Sequence, residues 1–197
     1  MPNYTSFLTF FIAVSATNLF HQGNWQRVFD FGNGPDNNNL YLSNRWTSNQ
    51  ASWTIFRGAG SISLSVQDFW ALGEWQHVVA TVGETGAMKL YKNGQMKGSV
   101  SGHLPQGLTR PQQFLGKSNW GSDTNFKGMM DDLRIYDRAL SLDEVSQIFR
   151  GDLTVDRVLG GEDPVVTIYW GDEDPGTTTE VNASSALAWD ANFSLGV

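Results

Sequence analysis

Phe126 to Phe149, FKGMMDDLRIYDRALSLDEVSQIF, changes its periodicity partway along, and that change decides how the chain is read. A period of two places Met129, Asp131, Leu133 and Ile135 on one face of a strand and Met130, Asp132, Arg134 and Tyr136 on the other. An acid flanked by apolar residues on one face is unusual. After a bend, Ser141-Leu142-Asp143-Glu144 has the capping-box form, a hydroxyl at the N-cap and a carboxylate at N3. Leu142, Val145, Ile148 and Phe149 follow at helical spacing, and Gly151 is the C-terminal stop. The cap is worth about 1 kcal/mol, enough to place one short helix in a chain otherwise written in strands.

The strands come in order. Phe7 to Ala16 (FLTFFIAVSA) alternates, with Leu8, Phe10, Ile12 and Val14 on one face. No Lys or Arg precedes it in Met1 to Ser6, so it reads as a strand rather than a leader, and it is too short to span a bilayer. Val28–Phe31, Leu40–Leu42, Trp53–Phe56 and Ile62–Val66 follow, with a Gly/Asn/Asp-rich loop over Gly32 to Asn39. Trp75 to Val82 is apolar on both faces from Val78 onward, which predicts a central strand. Met88–Tyr91 and Gln95–Lys97 flank Asn93-Gly94, the strongest hairpin signal in the chain, because a type I′ turn needs φ > 0 at both positions. Short strands with turns at short spacing predict an all-β, antiparallel two-sheet jelly-roll sandwich with one short C-terminal helix.

Composition narrows the function. The 197 residues are 40% hydrophobic and 13% aromatic, with eight Trp and twelve Phe, so a sizeable core can form from flat rings between sheets. A formal charge of −7 argues against nucleic acid, which needs a positive surface, and against anionic lipid. With no cysteine there is no disulfide framework, zinc–thiolate site or cysteine nucleophile. After Gly151 the composition shifts. Residues 154–163 read as a linker, Val165 to Trp170 as a new strand and Gly171 to Glu180 as an acidic, threonine-rich loop. Residues 164–197 therefore read as an incomplete β-repeat or an added strand, apart from a domain over residues 1–153.

The segment GMMDDLRIYDRALSLDEV resembles the closing strand and helix of the laminin G-like, concanavalin A-like jelly rolls of bacterial exported proteins. Trp75 to Val82 with Met88 to Gly98 resembles their central hairpin, and Leu115 to Gly128 (LGKSNWGSDTNFKG) the strand and loop before the closing strand. The resemblance covers roughly Phe7 to Gly151. It implies further strands before Phe7, so the first strands of such a domain are missing from this sequence. The tail similarly resembles the opening of a fibronectin type III-like or immunoglobulin-like repeat.

Three kinds of chemistry bear on such a chain: hydrolysis, metal binding and sugar binding. Glycoside hydrolases on such sandwiches place acids at alternating positions on one strand, where two carboxyls stand about 5 Å apart. No such run occurs here; Asp131-Asp132 are adjacent, and Asp172-Glu173-Asp174 lie in a Gly/Pro loop. His21, His77 and His103 lack metal-ligand spacing, and His77 in its strand reads as a structural residue. For metal, a carboxylate at Asp131 on an apolar face would need a neutralising partner, and the resemblance implies a structural Ca²⁺ at this position. An acid paired with backbone N–H groups or solvent is the alternative. For sugar, the loop Ser118 to Asn125 sets Trp120 among Asn119, Asp123 and hydroxyl groups, and Asn44 to Asn49 sets Trp46 in a similar company. A Trp face covers the apolar face of a pyranose while amides and acids satisfy its hydroxyls. Trp120 capping the core and Asp123 bracing the turn is the structural alternative.

These readings lead to a non-catalytic carbohydrate-binding or adhesion module of an exported, cell-surface or secreted multidomain protein. Its partners would be a glycan or surface polysaccharide and neighbouring domains. A spacer domain without ligand, or part of a polysaccharide hydrolase or lyase, are the alternatives.

Overall fold

The computed structural model describes residues 8–16, 24–151, 165–168 and 179–182. Two five-stranded antiparallel sheets face each other. The first has the order β10 (Gly128–Tyr136), β1 (Leu8–Ala16), β6 (Trp75–Val82), β7 (Ala87–Lys92), β8 (Gln95–Ser101). The second has the order β5 (Gly60–Val66), β4 (Ala51–Arg57), β3 (Leu40–Asn44), β2 (Arg27–Gly32), β9 (Gln112–Leu115). This is the sandwich the alternating strands predict.

The core lies between the sheets, where alternation delivers Phe10, Ile12 and Val14 from β1, Phe29 and Phe31 from β2, and Trp53 and Ile55 from β4. Phe10 stacks on Phe29 at 4.5 Å between ring centroids, and Trp53 meets both edge-on at 5.8 Å. The Trp53 indole N–H donates to the Thr81 carbonyl at 3.2 Å, which satisfies the one polar atom that ring buries.

The central strand β6 sends Val78, Ala80 and Val82 into this core and Val79 to the opposite face. There α1 (Leu142–Arg150) covers it: Val79 and Tyr91 pack against Leu140, Val145 and Ile148. This second apolar layer is why β6 reads as apolar on both faces. The helix is capped as expected, with Ser141 Oγ accepting from Glu144 N at 3.3 Å and Glu144 Oε2 accepting from Ser141 N at 2.8 Å. Gly151 ends it at φ 74. Of the four apolar positions expected on its buried stripe, Leu142 stays 48% exposed, and Phe149 leans on the Asn93-Gly94 turn rather than on the core. Asn93 and Gly94 have φ 51 and φ 76, the type I′ signs.

One strand departs from its pattern. In β10, Arg134 pairs with Phe11 and Asp131 with Ala13, so Asp132 and Leu133 together stand opposite the single residue Ile12. This is a β-bulge, with Asp132 turned to φ 52. The extra residue resets the alternation. Met130, Leu133 and Ile135 face the core, while Asp131 is exposed and Met129 is 44% exposed. The expectation that Asp131 shares a face with Leu133 and Ile135 is therefore corrected: uninterrupted period-two counting fails across a bulge.

The tail's expected strand forms as β11 (Val165–Ile168), paired antiparallel with β12 (Thr179–Asn182). The linker expected over residues 154–163, most of the acidic loop, Trp170, Trp189, Phe193 and His21 lie outside the described residues. Among those described, no helix is long and apolar enough to cross a membrane.

Arg138 holds Glu144 through paired hydrogen bonds of 3.0 and 2.6 Å, and this, with the N-cap, lowers the Glu144 carboxyl from 4.5 to about 2. Because the folded value is the lower one, the contribution is complete above pH 4.5 and is lost as pH falls toward about 2. Glu144→Gln should flatten that part of a stability–pH curve, and Ser141→Ala should cost about 1 kcal/mol in urea unfolding.

Candidate functional site

The outer face of the second sheet is built from the strand positions that alternate with the core. Its cross-strand rows are Asp30–Tyr41–Thr54–Ser63 and Arg27–Ser43–Ser52–Ser65. Hydroxyls link along it, Ser52 Oγ to Thr54 Oγ1 at 3.1 Å and Thr54 Oγ1 to Ser63 Oγ at 2.8 Å. Toward β5 the face opens, with Ser61, Ser63 and Ser65 exposed. Toward β2 and β9 it is roofed by the loop that follows β9.

An ion pair sits under that roof. Asp30 is wholly buried and Arg27 is 2% exposed. Arg27 Nε donates to Asp30 Oδ2 at 3.3 Å, its Nη1 donates to the Trp25 carbonyl at 2.8 Å, and its Nη2 lies 2.9 Å from Asp123 Oδ2. A bulge between Arg27 and Phe29 in the β2–β3 pairing lets Arg27 reach this side. Asp30 also accepts from Asn39 Nδ2 at 2.9 Å, Asn119 N at 3.0 Å and Asn119 Nδ2 at 2.9 Å. Burial pushes its carboxyl pKa up, and the Asn119 N–H and the Arg27 charge pull against it without cancelling the rise. The Asp30 carboxylate thus ties the Asn39 turn and the Asn119 loop to one point.

Aromatic rings surround the guanidinium. Arg27 Cζ lies 4.0 Å from the Tyr41 ring centroid, 5.1 Å from Trp120 and 5.8 Å from Trp25. Trp120 meets Tyr41 and Phe56 at 5.8 Å each, and Trp25 meets Trp46 at 5.3 Å. Trp25 and Trp46 have φ 54 and φ 52, a left-handed backbone that costs a bulky residue about 1–3 kcal/mol. The Trp46 turn is braced by Asn44 Nδ2 donating to its carbonyl at 2.6 Å and Ser48 Oγ donating to the Arg45 carbonyl at 2.5 Å. Trp46 is nonetheless 59% exposed.

All four residues expected to meet a ligand come together here, but in two roles. Trp46 and the half-buried Trp120 present ring surface. Asn119, buried against Asp30, and Asp123, held by Arg27 and by Ser118 Oγ at 2.8 Å, brace the loop. Sequence reasoning missed Arg27, Asp30, Trp25, Tyr41 and Phe56. Asp30 carried no signal, since an acid between Phe29 and Phe31 falls on the opposite face of the strand, where alternation expects solvent, and it is the loop after β9 that buries it.

Asp131 stands elsewhere, on β10 of the other sheet, where its Oδ1 accepts from Asp132 N at 2.8 Å. Asp132 is itself engaged by Arg134 at 2.6 and 2.9 Å. Among the described residues no group of three His, Asp or Glu side chains gathers around Asp131. His77 is half-buried in β6 against Phe149, and burial lowers its pKa. His103 Nε2 lies 3.0 Å from the Ile55 carbonyl.

Residues 13–146 match the family model described as the concanavalin A-like lectin/glucanases superfamily. No curated protein matches the sequence. Among solved structures, the CBM40 of Ruminococcus gnavus IT-sialidase bound to α2,3-sialyllactose aligns with a TM-score of 0.62 at 16% identity, over 74% of this chain and 83% of that one. Domain 4 of AbnA, a GH43 extracellular arabinanase from Geobacillus stearothermophilus, in complex with arabinotriose, aligns with a TM-score of 0.54 at 26% identity, over 75% and 70%. The receptor binding domain of botulinum neurotoxin mosaic serotype C/D aligns with a TM-score of 0.59 at 18% identity, over 75% of this chain and 37% of that one.

Asp30→Asn places an NH₂ among donors and strips Arg27 of one counter-charge, so it should cost about 3–5 kcal/mol. Asp131→Asn should stay within about 0.5 kcal/mol. Urea unfolding of the two variants checks both, and a loss at Asp131 that depends on calcium would contradict the placement described above.

Proposed function

The chain belongs to the concanavalin A-like lectin/glucanases superfamily, and from that premise we propose that it is a non-catalytic carbohydrate-binding module. The observation that carries this reading is the Trp25–Trp46 pair: two rings held together at the surface by strained backbone, with Trp46 left 59% exposed. Strain of this kind persists where function retains it. On the same outer face, Trp120 and the exposed serines of β5 add what a pyranose or furanose asks for, flat apolar surface and hydroxyl-matching groups. The similar structures carrying sialyllactose and arabinotriose support a glycan as the ligand.

The carboxylates of this site support binding rather than hydrolysis. Asp30 is out of reach of any substrate, and Asp123 is spent on Arg27 and Ser118. A general acid or nucleophile needs an open path to the glycosidic oxygen or anomeric carbon. The module would serve an exported protein of several domains, with residues 164–197 opening the next β-repeat.

Trp46→Ala should leave the unfolding midpoint nearly unchanged and weaken a bound neutral oligosaccharide by about tenfold, equivalent to about 1.4 kcal/mol. Trp120→Ala should weaken binding and also lower stability, because that ring packs on Tyr41 and Phe56. Calorimetry against arabino-oligosaccharides, sialyllactose and a wider glycan panel checks both. Failure of every glycan to bind would overturn the assignment and favour a spacer domain, and full binding of a neutral oligosaccharide by Trp46→Ala would overturn the tryptophan face as the site.

A further inference from the structure

A cleft of about 290 Å³ lies between the β5–β6 connection and the β7–β8 hairpin, lined among others by Gln67, Asp68, Phe69, Lys92, Asn93 and Lys97. Its walls are held in place. The Asn93 carboxamide accepts from His77 N at 2.9 Å, and Ser146 Oγ of α1 donates to the Gly94 carbonyl at 2.8 Å. Across the cleft, Asn49 Nδ2 donates to Asp68 Oδ1 at 2.9 Å, and the Asn49 carbonyl accepts from Phe69 N at 3.0 Å and Trp70 N at 2.9 Å.

Its charge runs against that of the chain. The chain carries −7, yet Lys92 and Lys97 both line this cleft, and among the described residues neither forms an ion pair. Lys92 is half-buried, with its ammonium donating to the Phe69 carbonyl at 2.5 Å. Three donors on one nitrogen leave capacity for a ligand. Burial and the Lys97 charge push the Lys92 pKa down, against a smaller upward pull from Glu74. The carboxylate in the lining, Asp68, is engaged by Asn49.

We propose that this cleft is a second binding site, for a sugar residue bearing a carboxylate or sulfate group. Two ammonium groups against the single carboxylate of Asp68 leave the lining net positive, which favours an anion. The amides of Gln67, Asn93 and Gln95, with Asp68 as an acceptor, match hydroxyls rather than a bare anion. The volume admits about one saccharide unit. The site is separate from the tryptophan face and stands or falls independently of the reading given for it.

The test is titration of trigalacturonate and of a sulfated chondroitin tetrasaccharide into the ¹⁵N-labelled full chain. At least one should shift the side-chain amides of Asn93 and Gln95 and bind more weakly as salt is raised. Lys97→Gln, at an exposed position, should weaken that binding about tenfold, while Trp46→Ala leaves it unchanged. Binding by neither oligosaccharide, equal binding of methyl-esterified trigalacturonate, unchanged binding by Lys97→Gln, or equal shifts from sodium sulfate alone would each overturn the proposal. Loss in Trp46→Ala would move the acidic sugar to the sheet face, overturning this site while leaving the carbohydrate-binding reading intact.

Discussion

A carboxylate that water does not reach must be given partners by the protein, and Asp30 sets that demand for the whole outer face of the second sheet. Its charge is met by Arg27 and by three N–H donations from Asn39 and Asn119. Arg27 comes from the same strand, but Asn39 and Asn119 arrive from two separate loops, so satisfying Asp30 fixes both loops at once. Arg27 passes the constraint on. Its guanidinium lies over Tyr41, holds Asp123 and donates to the Trp25 carbonyl, which sets the ring that Trp46 leans on. An apolar pair in its place would stabilise about as well. It would not orient rings, because dispersion contacts have no preferred direction and hydrogen bonds do.

The two sheets use their outer faces differently. The first buries its outer face under α1, with Val79 and Tyr91 meeting Val145 and Ile148. The second leaves hydroxyls and indoles facing out. The asymmetry follows from residue type: β6 and β7 place Val and Tyr outward, whereas β4 and β5 place Ser and Thr there. One sheet therefore needs a cover and the other can meet a polar, ring-shaped ligand. Helix α1 also braces the β7–β8 hairpin beside the Lys92 cleft, through Ser146 and Phe149 at Gly94.

What could be read from sequence was local. The capping box, the Asn93-Gly94 turn and the two-faced apolar strand at Val78 each depend on residues within a few positions of one another. The bulge at Asp132 did not show, because it is decided by what Ile12 faces across the sheet, and counting along one strand carries no information about the other. The same holds for the site. Trp46, Asn119, Trp120 and Asp123 stood out by loop composition. Their organising pair did not, since Asn119 meets Asp30 across 89 residues of sequence. The acid singled out as needing a partner, Asp131, turned out to face solvent, and the one that does need partners, Asp30, lay unremarked in a strand.

The central claim is that Arg27 and Asp30 hold a set of indoles for a sugar to rest on. Indole N–H resonances report it directly in a ¹⁵N–¹H spectrum recorded while neutral oligosaccharides are added. The account predicts that a neutral glycan that binds shifts Trp25, Trp46 and Trp120 together, while Trp53 and Trp70, buried in the core, stay still. A neutral glycan that binds and leaves those three unmoved, or that moves Trp75 on the other sheet instead, would contradict it.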